Sequence, residues 1–536
     1  MSEFPDPIAE GLSRGWRVFG GETPLPREIR CDVAIVGSGA GGGISAELFV
    51  KAGLDVVIVE EGPLRSSRDF NQLEAEAYPT LYQESAARKT ADKSINILQG
   101  RCVGGSTTVN WTSSFRTPPA TLEYWREHFG LTDLSLDALQ PWFERAERRV
   151  SIQPWTTPPN ENNDLLRRGA AKLGVATSGI PRNVIGCADL GSCGLGCPIN
   201  AKQSILVTTI PSALDGGARL LVQSRAHKFE LTRGRVSALL CVPVALNGDA
   251  VSTSSTRIIA RHYVLAGGAI NSPGLLLRSG APDPHQRLGR RTFLHPVVLS
   301  TAVFDHAVKA WSGAPQSICS DHFLKQYPID GPIGYKLETP PMHPVIASTT
   351  LAGFGRAQTE ALARLPVTHG LLALLRDGFH PESPGGSVSL RSDGSPLLEY
   401  SLTDFVMEGA RRAYLSMAEI QFAAGALTVT PVHEMASPYT NWVQARKAIA
   451  ALPMKPLLTR VVSAHVMGGC PMAGDERRGV VQPDGVHWQL DNLSVHDGSL
   501  FPTSIGANPQ LSIYGLVTKL ATQLARRITG RDVTVV

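Results

Sequence analysis

The chain has 536 residues, 43% of them hydrophobic and 18% charged, with a formal net charge of +4. That length exceeds one small core and predicts two interleaved domains, and the composition is that of a soluble globular protein. So slight a charge, with no run of five or more basic residues, excludes a nucleic-acid binder; no apolar stretch approaches the ~18 residues of a transmembrane helix. Met1-Ser-Glu-Phe-Pro-Asp-Pro lacks a basic region followed by an apolar core. A cytoplasmic chain is therefore expected, unless a partner carries it across a membrane.

After an irregular leader over 1–30, a β-branched run (Asp32–Val36) enters Gly37-Ser38-Gly39-Ala40-Gly41-Gly42. A helix is predicted from Ile44 to Ala52, and a second β-branched run ends at Glu60. In such a unit Gly37 permits the tight turn, Gly39 lets backbone approach a pyrophosphate, and Gly42 lets helix and strand pack closely. The helix N-terminus offers unpaired N–H groups to phosphates. Glu60 lies 18 residues after Gly42, near the ~20-residue spacing of a ribose-binding acid. Both strands, the helix and the acid are in register, so the pattern reads as dinucleotide binding rather than a bare glycine turn.

Helical pieces are predicted between Asn71 and Ala91, interrupted at Pro79, before a second glycine-rich turn, Gly100-Arg-Cys-Val-Gly104-Gly105-Ser106-Thr-Thr-Val-Asn110-Trp111. Helices follow at Leu136–Val150 and Asn163–Leu173, then a loop-rich segment over 183–204. Strands are predicted at Arg219–Gln223, Val236–Pro243 and Arg257–Leu265, the last leading into Ala266-Gly267-Gly268. Residues 306–454 are proline-broken, with helices near Asp404–Ala424 and Trp442–Ala451. The last helix runs from about Pro509 to Ile528 with Gly530 as its stop, and reads as a buried structural helix rather than a membrane-surface anchor.

Eight cysteines in so long a chain do not make a disulfide scaffold. Cys187, Cys193 and Cys197 have Cys-x5-Cys-x3-Cys spacing, with Pro198 next. Three are one short of a structural zinc site, and no nearby histidine completes it. A structural thiol loop or a Cys193–Cys197 disulfide is preferred, with an iron–sulfur cluster left open. No Gly-x-Ser-x-Gly elbow and no phosphate-binding Gly-x-x-x-x-Gly-Lys-Ser/Thr loop occur, which sets aside serine hydrolases and that class of NTPase.

Five segments together resemble the glucose–methanol–choline (GMC) flavin oxidoreductases. They are the turn at 37–42 with Glu60, the Gly100–Asn110 loop, Gly268-Ala-Ile-Asn271-Ser272-Pro273 through Gly280, His465-Val-Met-Gly468-Gly469-Cys470-Pro-Met472, and Asp497-Gly498 through Asn508-Pro509. Val109-Asn110-Trp111, Thr117-Pro118 and Ala201-Lys202-Gln203-Ser204 make the resemblance nearest to long-chain or bulky alcohol oxidases and dehydrogenases.

The resemblance implies a doubly wound α/β FAD domain from 1–112, 185–305 and 455–536. An α+β substrate domain on an antiparallel sheet would come from 113–184 and 306–454. It implies FAD, non-covalently held. Gly37, Ser38, Gly39, Ala40 and Gly42 would lie at the pyrophosphate and Glu60 at the adenosine ribose. Gly104, Gly105, Ser106 and Asn110 would lie along the flavin and ribityl chain, and Arg225-Ala226-His227 would pass the adenine. Ala266, Gly267, Asp497 and Gly498 would lie near phosphates, ribose and ribityl chain, with Pro509 bringing a helix N-terminus to the isoalloxazine.

By the same resemblance, hydride would pass from an alcohol carbon to flavin N5. His465 would be the general base, titrating near neutral pH, and Asn508 the group orienting the substrate oxygen. His295 also matches a family position, but the structural reading is preferred there. The substrate expected is a hydrophobic or bulky primary alcohol, with O2, a quinone or a cytochrome left open as electron acceptor. A sugar or choline dehydrogenase with a cluster at Cys187, Cys193 and Cys197 is the alternative. A non-catalytic or photochemical flavoprotein is the different-class rival.

Overall fold

The fold is that of a computed structural model describing all residues except 1–3, 22, 252–254 and 532–536. Glu28–Val36 and Val56–Val59 pair in parallel, and Arg219–Leu221 and Arg17–Phe19 extend this flank in the same sense. On the other side Thr256–Leu265 runs parallel to Glu28–Val36, followed outward by antiparallel Arg235–Pro243 and Ser224–Thr232. Leu490–Val495 joins parallel to the end of Thr256–Leu265 and carries Val486–His487. Together they form a nine-stranded sheet. Val33, Ile35, Val57 and Ile58 are wholly buried, as strands covered on both faces require. Ala40–Lys51 covers one face and packs against Thr209–Asp215 and the terminal helix Gln510–Thr529. This is the doubly wound α/β arrangement expected from the sequence.

A second, eight-stranded sheet has the order Ile95–Ile97, Val461–Ser463, Val297–Val303, Thr368–Leu375, Tyr335–Glu338, Ile318–Ser320, Ser178–Gly179, with Thr428–Pro431 also on Val297–Val303. It is antiparallel except where Ile95–Ile97 meets Val461–Ser463. Val298, Ala302, Leu371, Ala373 and Leu375 face a core shared with Val406, Ala410 and Met417 of helix Asp404–Ala424. A four-stranded sheet (Pro396–Tyr400, Gly386–Leu390, Arg290–Phe293, Met467–Gly468) lies beside it. The pairing moves three strands relative to the domain limits expected above: Ile95–Ile97, Val297–Val303 and Val461–Ser463 belong to the antiparallel sheet. A short β-branched run reads the same in either sheet; only its partners decide.

Local signals place most helices. Ser135 caps Leu136–Arg149, Asn160 caps Glu161–Lys172, Thr403 caps Asp404–Ala424, and left-handed Gly530 ends the last helix. Pro79 does not interrupt its segment as expected but lies inside Glu74–Leu81, which ends two residues later. Among the described residues no helix is long and apolar enough to cross a membrane.

Candidate active site

One cavity of about 880 Å³ runs from the glycine turn to the antiparallel sheet. At its first end the three glycines divide their work. Gly37 has φ +96, and a Cβ there would lie 2.3 Å from the Ala266 carbonyl oxygen. A Cβ on Gly42 would lie 2.0 Å from the Gly37 oxygen, whereas one on Gly39 would meet only the Gly105 Cα, at 3.7 Å. Gly39 and Gly37 line the cavity; Gly42 sits just behind it. The helix Ala40–Lys51 has no side-chain cap, so its first N–H groups are left for an anion.

The acid expected at the ribose is also a brace. Glu60 Oε2 accepts from the Ser38 N–H (3.0 Å) and Ser38 Oγ (2.6 Å), and Oε1 accepts from the Gly62 N–H (2.9 Å). Burial raises its pKa despite these bonds. Glu60 still lines the cavity, and Ser38 Oγ accepts from the Gly104 N–H, tying the second glycine turn to the first.

Gly105, Ser106 and Asn110 line the next stretch, with Gly104 behind them. Asn110 Nδ2 donates to Gln510 Oε1 (2.7 Å), which joins the loop to the terminal helix. Asp497 is fully engaged: Oδ2 accepts from Gly268 N–H and Ser272 Oγ, and Oδ1 from Ser499 N–H and Oγ. Ala40, His227, Ala266, Gly267, Gly498 and Pro509 complete this wall. The carbonyls of Ala226 and His227 accept from Arg278.

At the other end His465 and Asn508 line the same space. His465 follows the strand Val461–Ser463, and its Nδ1 lies 3.1 Å from His295 Nδ1. His295 is fully buried at φ +48. Its turn is held by Asp377, whose carboxylate accepts from the Leu294 and His295 N–H groups and the Tyr400 hydroxyl. Burial, and secondarily the charge of Lys336, push the His465 pKa down to about 4. This corrects the near-neutral value expected: the imidazole faces a neutral histidine and a distant cation, with no carboxylate to stabilise its charged form.

Asn508 Nδ2 donates to Glu338 Oε2 at 3.2 Å. Glu338 lies in Tyr335–Glu338, is fully buried, and burial raises its pKa to about 7. Sequence reasoning missed it. The only signal was two charges, Lys336 and Glu338, two apart and thus on one face of an apolar strand.

The floor at this end is the open face of the second sheet, where Val297, Leu299, Leu372, Leu374 and Val462 line the cavity. The aliphatic runs of 306–454 therefore divide by alternation: Leu372 and Leu374 point into the cavity, and Leu371, Ala373 and Leu375 into the core. Ile346, Ala347 and Leu351 form an outer wall.

Two models of one family, described as GMC oxidoreductase, match residues 78–297 and 381–516. An uncharacterized GMC-type oxidoreductase of Mycobacterium tuberculosis is 30% identical over 508 residues, covering 94% of this chain and 77% of that protein. The chain belongs to the GMC oxidoreductase family. A long-chain-alcohol oxidase of Arabidopsis thaliana is 26% identical over 545 residues, 97% of this chain and 70% of its own length. Among solved structures, pyridoxine 4-oxidase from Mesorbium loti superposes with a TM-score of 0.68 at 18% identity, covering 92% of this chain and 99% of its own. As a GMC oxidoreductase the protein is an FAD-dependent enzyme acting on CH–OH donors. The uncapped helix end, the open side of Gly39 and the long cavity fit that cofactor.

The cysteine segment does not fit an iron–sulfur cluster. Among the described residues no group of three or more Cys, His, Asp or Glu side chains converges to hold a metal, and all three cysteines are free thiols. Cys187 Sγ turns toward Asp189 and Cys193 Sγ toward Arg182. The segment instead braces the second glycine loop. Lys202, buried, donates through Nζ to the carbonyls of Thr108 (2.6 Å), Asn110 (3.0 Å) and Cys193 (2.7 Å), and Gly194 and Leu195 line the cavity.

Proposed function

We propose that this enzyme oxidises a hydrophobic or bulky primary alcohol to the aldehyde, with His465 as the base and Asn508 orienting the substrate oxygen. The observation carrying this reading is the junction at the cavity's inner end. An aliphatic sheet face leads to His465 and Asn508, and the cofactor wall begins beside them. An apolar tail laid on Val297, Leu299, Leu372 and Leu374 gains ~0.8 kcal/mol per buried CH2. A sugar would need several hydroxyl partners, whereas Val297, Leu299, Leu372, Leu374 and Val462 make most of this floor aliphatic, with Thr301 and Asn96 among its polar members.

Bound FAD supplies the hydride acceptor. The chain's part is the proton. With Nδ1 committed to His295, His465 takes the hydroxyl proton at Nε2. That requires its resting proton on Nδ1, donated to His295 Nδ1. His295 thereby fixes the tautomer and is a positioning residue. A pKa of about 4 keeps His465 unprotonated, and so competent as an acceptor, through the neutral range. The presence of both His465 and Asn508 on this wall weighs against a non-catalytic flavoprotein.

The test is aldehyde formation from straight-chain primary alcohols beside a benzylic alcohol, glucose and choline. Efficiency should climb with chain length or aromatic bulk. Strong glucose or choline turnover over a flat alcohol series would overturn the reading. FAD should leave the chain on denaturation, since Val103-Gly104-Gly105-Ser106 holds no histidine for a covalent link.

A further inference from the structure

Among the buried polar atoms at the reacting end without a hydrogen-bond partner, two sit on residues already in contact: Asn508 Oδ1 and Glu338 Oε1. Leaving such atoms unpaired costs free energy, so their shared neighbourhood calls for a group or a state that satisfies them. The two residues already touch through Asn508 Nδ2 and Glu338 Oε2. A carboxylate can only accept, whereas a protonated carboxyl also donates; an amide does either, according to which end is presented.

We propose that Glu338 sets which end of the Asn508 amide meets the substrate. Protonated, it donates to Asn508 Oδ1 and turns Nδ2 toward the substrate oxygen. Ionised, it accepts from Nδ2 and leaves Oδ1 on the cavity side. This deepens the alcohol reading above and rests on it. As the hydroxyl proton moves to His465, the substrate oxygen gains negative charge, and a donor there stabilises it where a carbonyl oxygen repels it. The protonated form of Glu338 is therefore the productive one.

The surroundings give Glu338 a proton near neutral pH. Lys336, on the same strand, has Nζ 4.0 Å from Glu338 Oε1 but is committed to Asp321 Oδ1 at 2.9 Å and to the Phe115 ring at 3.4 Å. Asp321 opposes ionisation, and Cys319 pairs with Glu338 across the ladder as a buried neutral thiol, while His465 and His295 feel the same Lys336 charge. Thr368–Leu375 contributes Leu372 at the paired position, and the terminal-helix side contributes Asn508. Burial prevails over the Lys336 charge, which leaves the carboxyl at about 7.

Two measurements on FAD-loaded protein test this. Infrared difference spectra should show a buried carboxylic-acid band that fades as pH rises through about 7 and is missing from Glu338→Gln. The rate of flavin reduction by a primary alcohol should fall about ten-fold per pH unit above about 7, and Glu338→Gln, which can donate at any pH, should lose that limb. A wild type without the band, or a limb that persists in Glu338→Gln, overturns the proposal. The infrared titration needs no substrate, so a silent carboxyl and a flavin that no alcohol reduces are separate failures: the first refutes the role of Glu338, the second the alcohol reading.

Discussion

The two ends of the cavity are built on opposite rules. At the glycine-turn end the acid and amide side chains are braced before anything binds, while the first N–H groups of Ala40–Lys51 stay open: Glu60 holds Ser38 and Gly62, Asp497 holds Gly268, Ser272 and Ser499, and Asn110 holds Gln510. At the other end much of the wall is aliphatic, and polar atoms of Asn508, His295, Glu338 and Asn96 are buried without hydrogen-bond partners. A braced cradle with open N–H groups suits one permanent ligand. A mostly apolar floor with a few unsatisfied atoms suits an oxygen that comes and goes, since it gives those atoms their transient partner.

The sharpest way to break this contrast is His465→Asn. Removing a general base costs ~10²–10⁴ in rate, so flavin reduction should collapse in stopped-flow while FAD content stays at wild-type level. Loss of FAD together with activity would mean that the two ends are one structural unit.

Adjacent residues of one strand come next. Leu371→Ala empties a core position and should cost roughly 2–5 kcal/mol in denaturant unfolding. Leu372→Ala faces the cavity; it should cost less stability and lower the efficiency with long-chain alcohols by about ten-fold, sparing short ones. Equal effects in both assays would refute the alternation.

The glycine pair sharpens the cofactor end. Gly42→Ala drives a Cβ into backbone 2.0 Å away and should destabilise even the apoprotein, by about 1–3 kcal/mol. Gly39→Ala meets no close protein atom, so apoprotein melting should hold while FAD affinity, read by titration, falls. An apoprotein melting point that drops equally for both would show that Gly39 is a packing glycine and not a ligand contact.

The smallest effect is the acid limb. His465 is depressed from the usual histidine range to about 4, so its neutral, proton-accepting form is complete above that pH and is lost as pH falls through it. The reduction rate should drop about ten-fold per pH unit below about 4. Bound FAD, retained at the braced end, should not follow that limb. A limb near the ordinary histidine value would return His465 to a solvated environment.

Legibility in the sequence follows the same division. The turn at 37–42 and Glu60 were readable because the signal is local: Gly37 and Gly42 have no room for a Cβ, Gly39 keeps a side open toward the cavity, and the acid follows at a fixed spacing. The helices at Asp404–Ala424 and Gln510–Thr529 were readable from caps and periodicity. The substrate end was not. Whether Leu372 or Leu371 meets the substrate depends on pairing with Val297–Val303 and on a helix over the other face. His295 reaches His465, and Glu338 reaches Asn508, from 170 residues away in each case. The assignment of Ile95–Ile97, Val297–Val303 and Val461–Ser463 to the second sheet was hidden for the same reason.

The central claim is that a mostly aliphatic floor delivers an alcohol to His465 beside the flavin. Its most direct test is the flavin spectrum on anaerobic mixing with primary alcohols of about four to about twelve carbons, with glucose and choline as controls. Bleaching that quickens with chain length, as each CH2 adds ~0.8 kcal/mol of burial, is the predicted result. A flavin that stays oxidised with every alcohol, or that glucose or choline bleaches faster, would contradict the account.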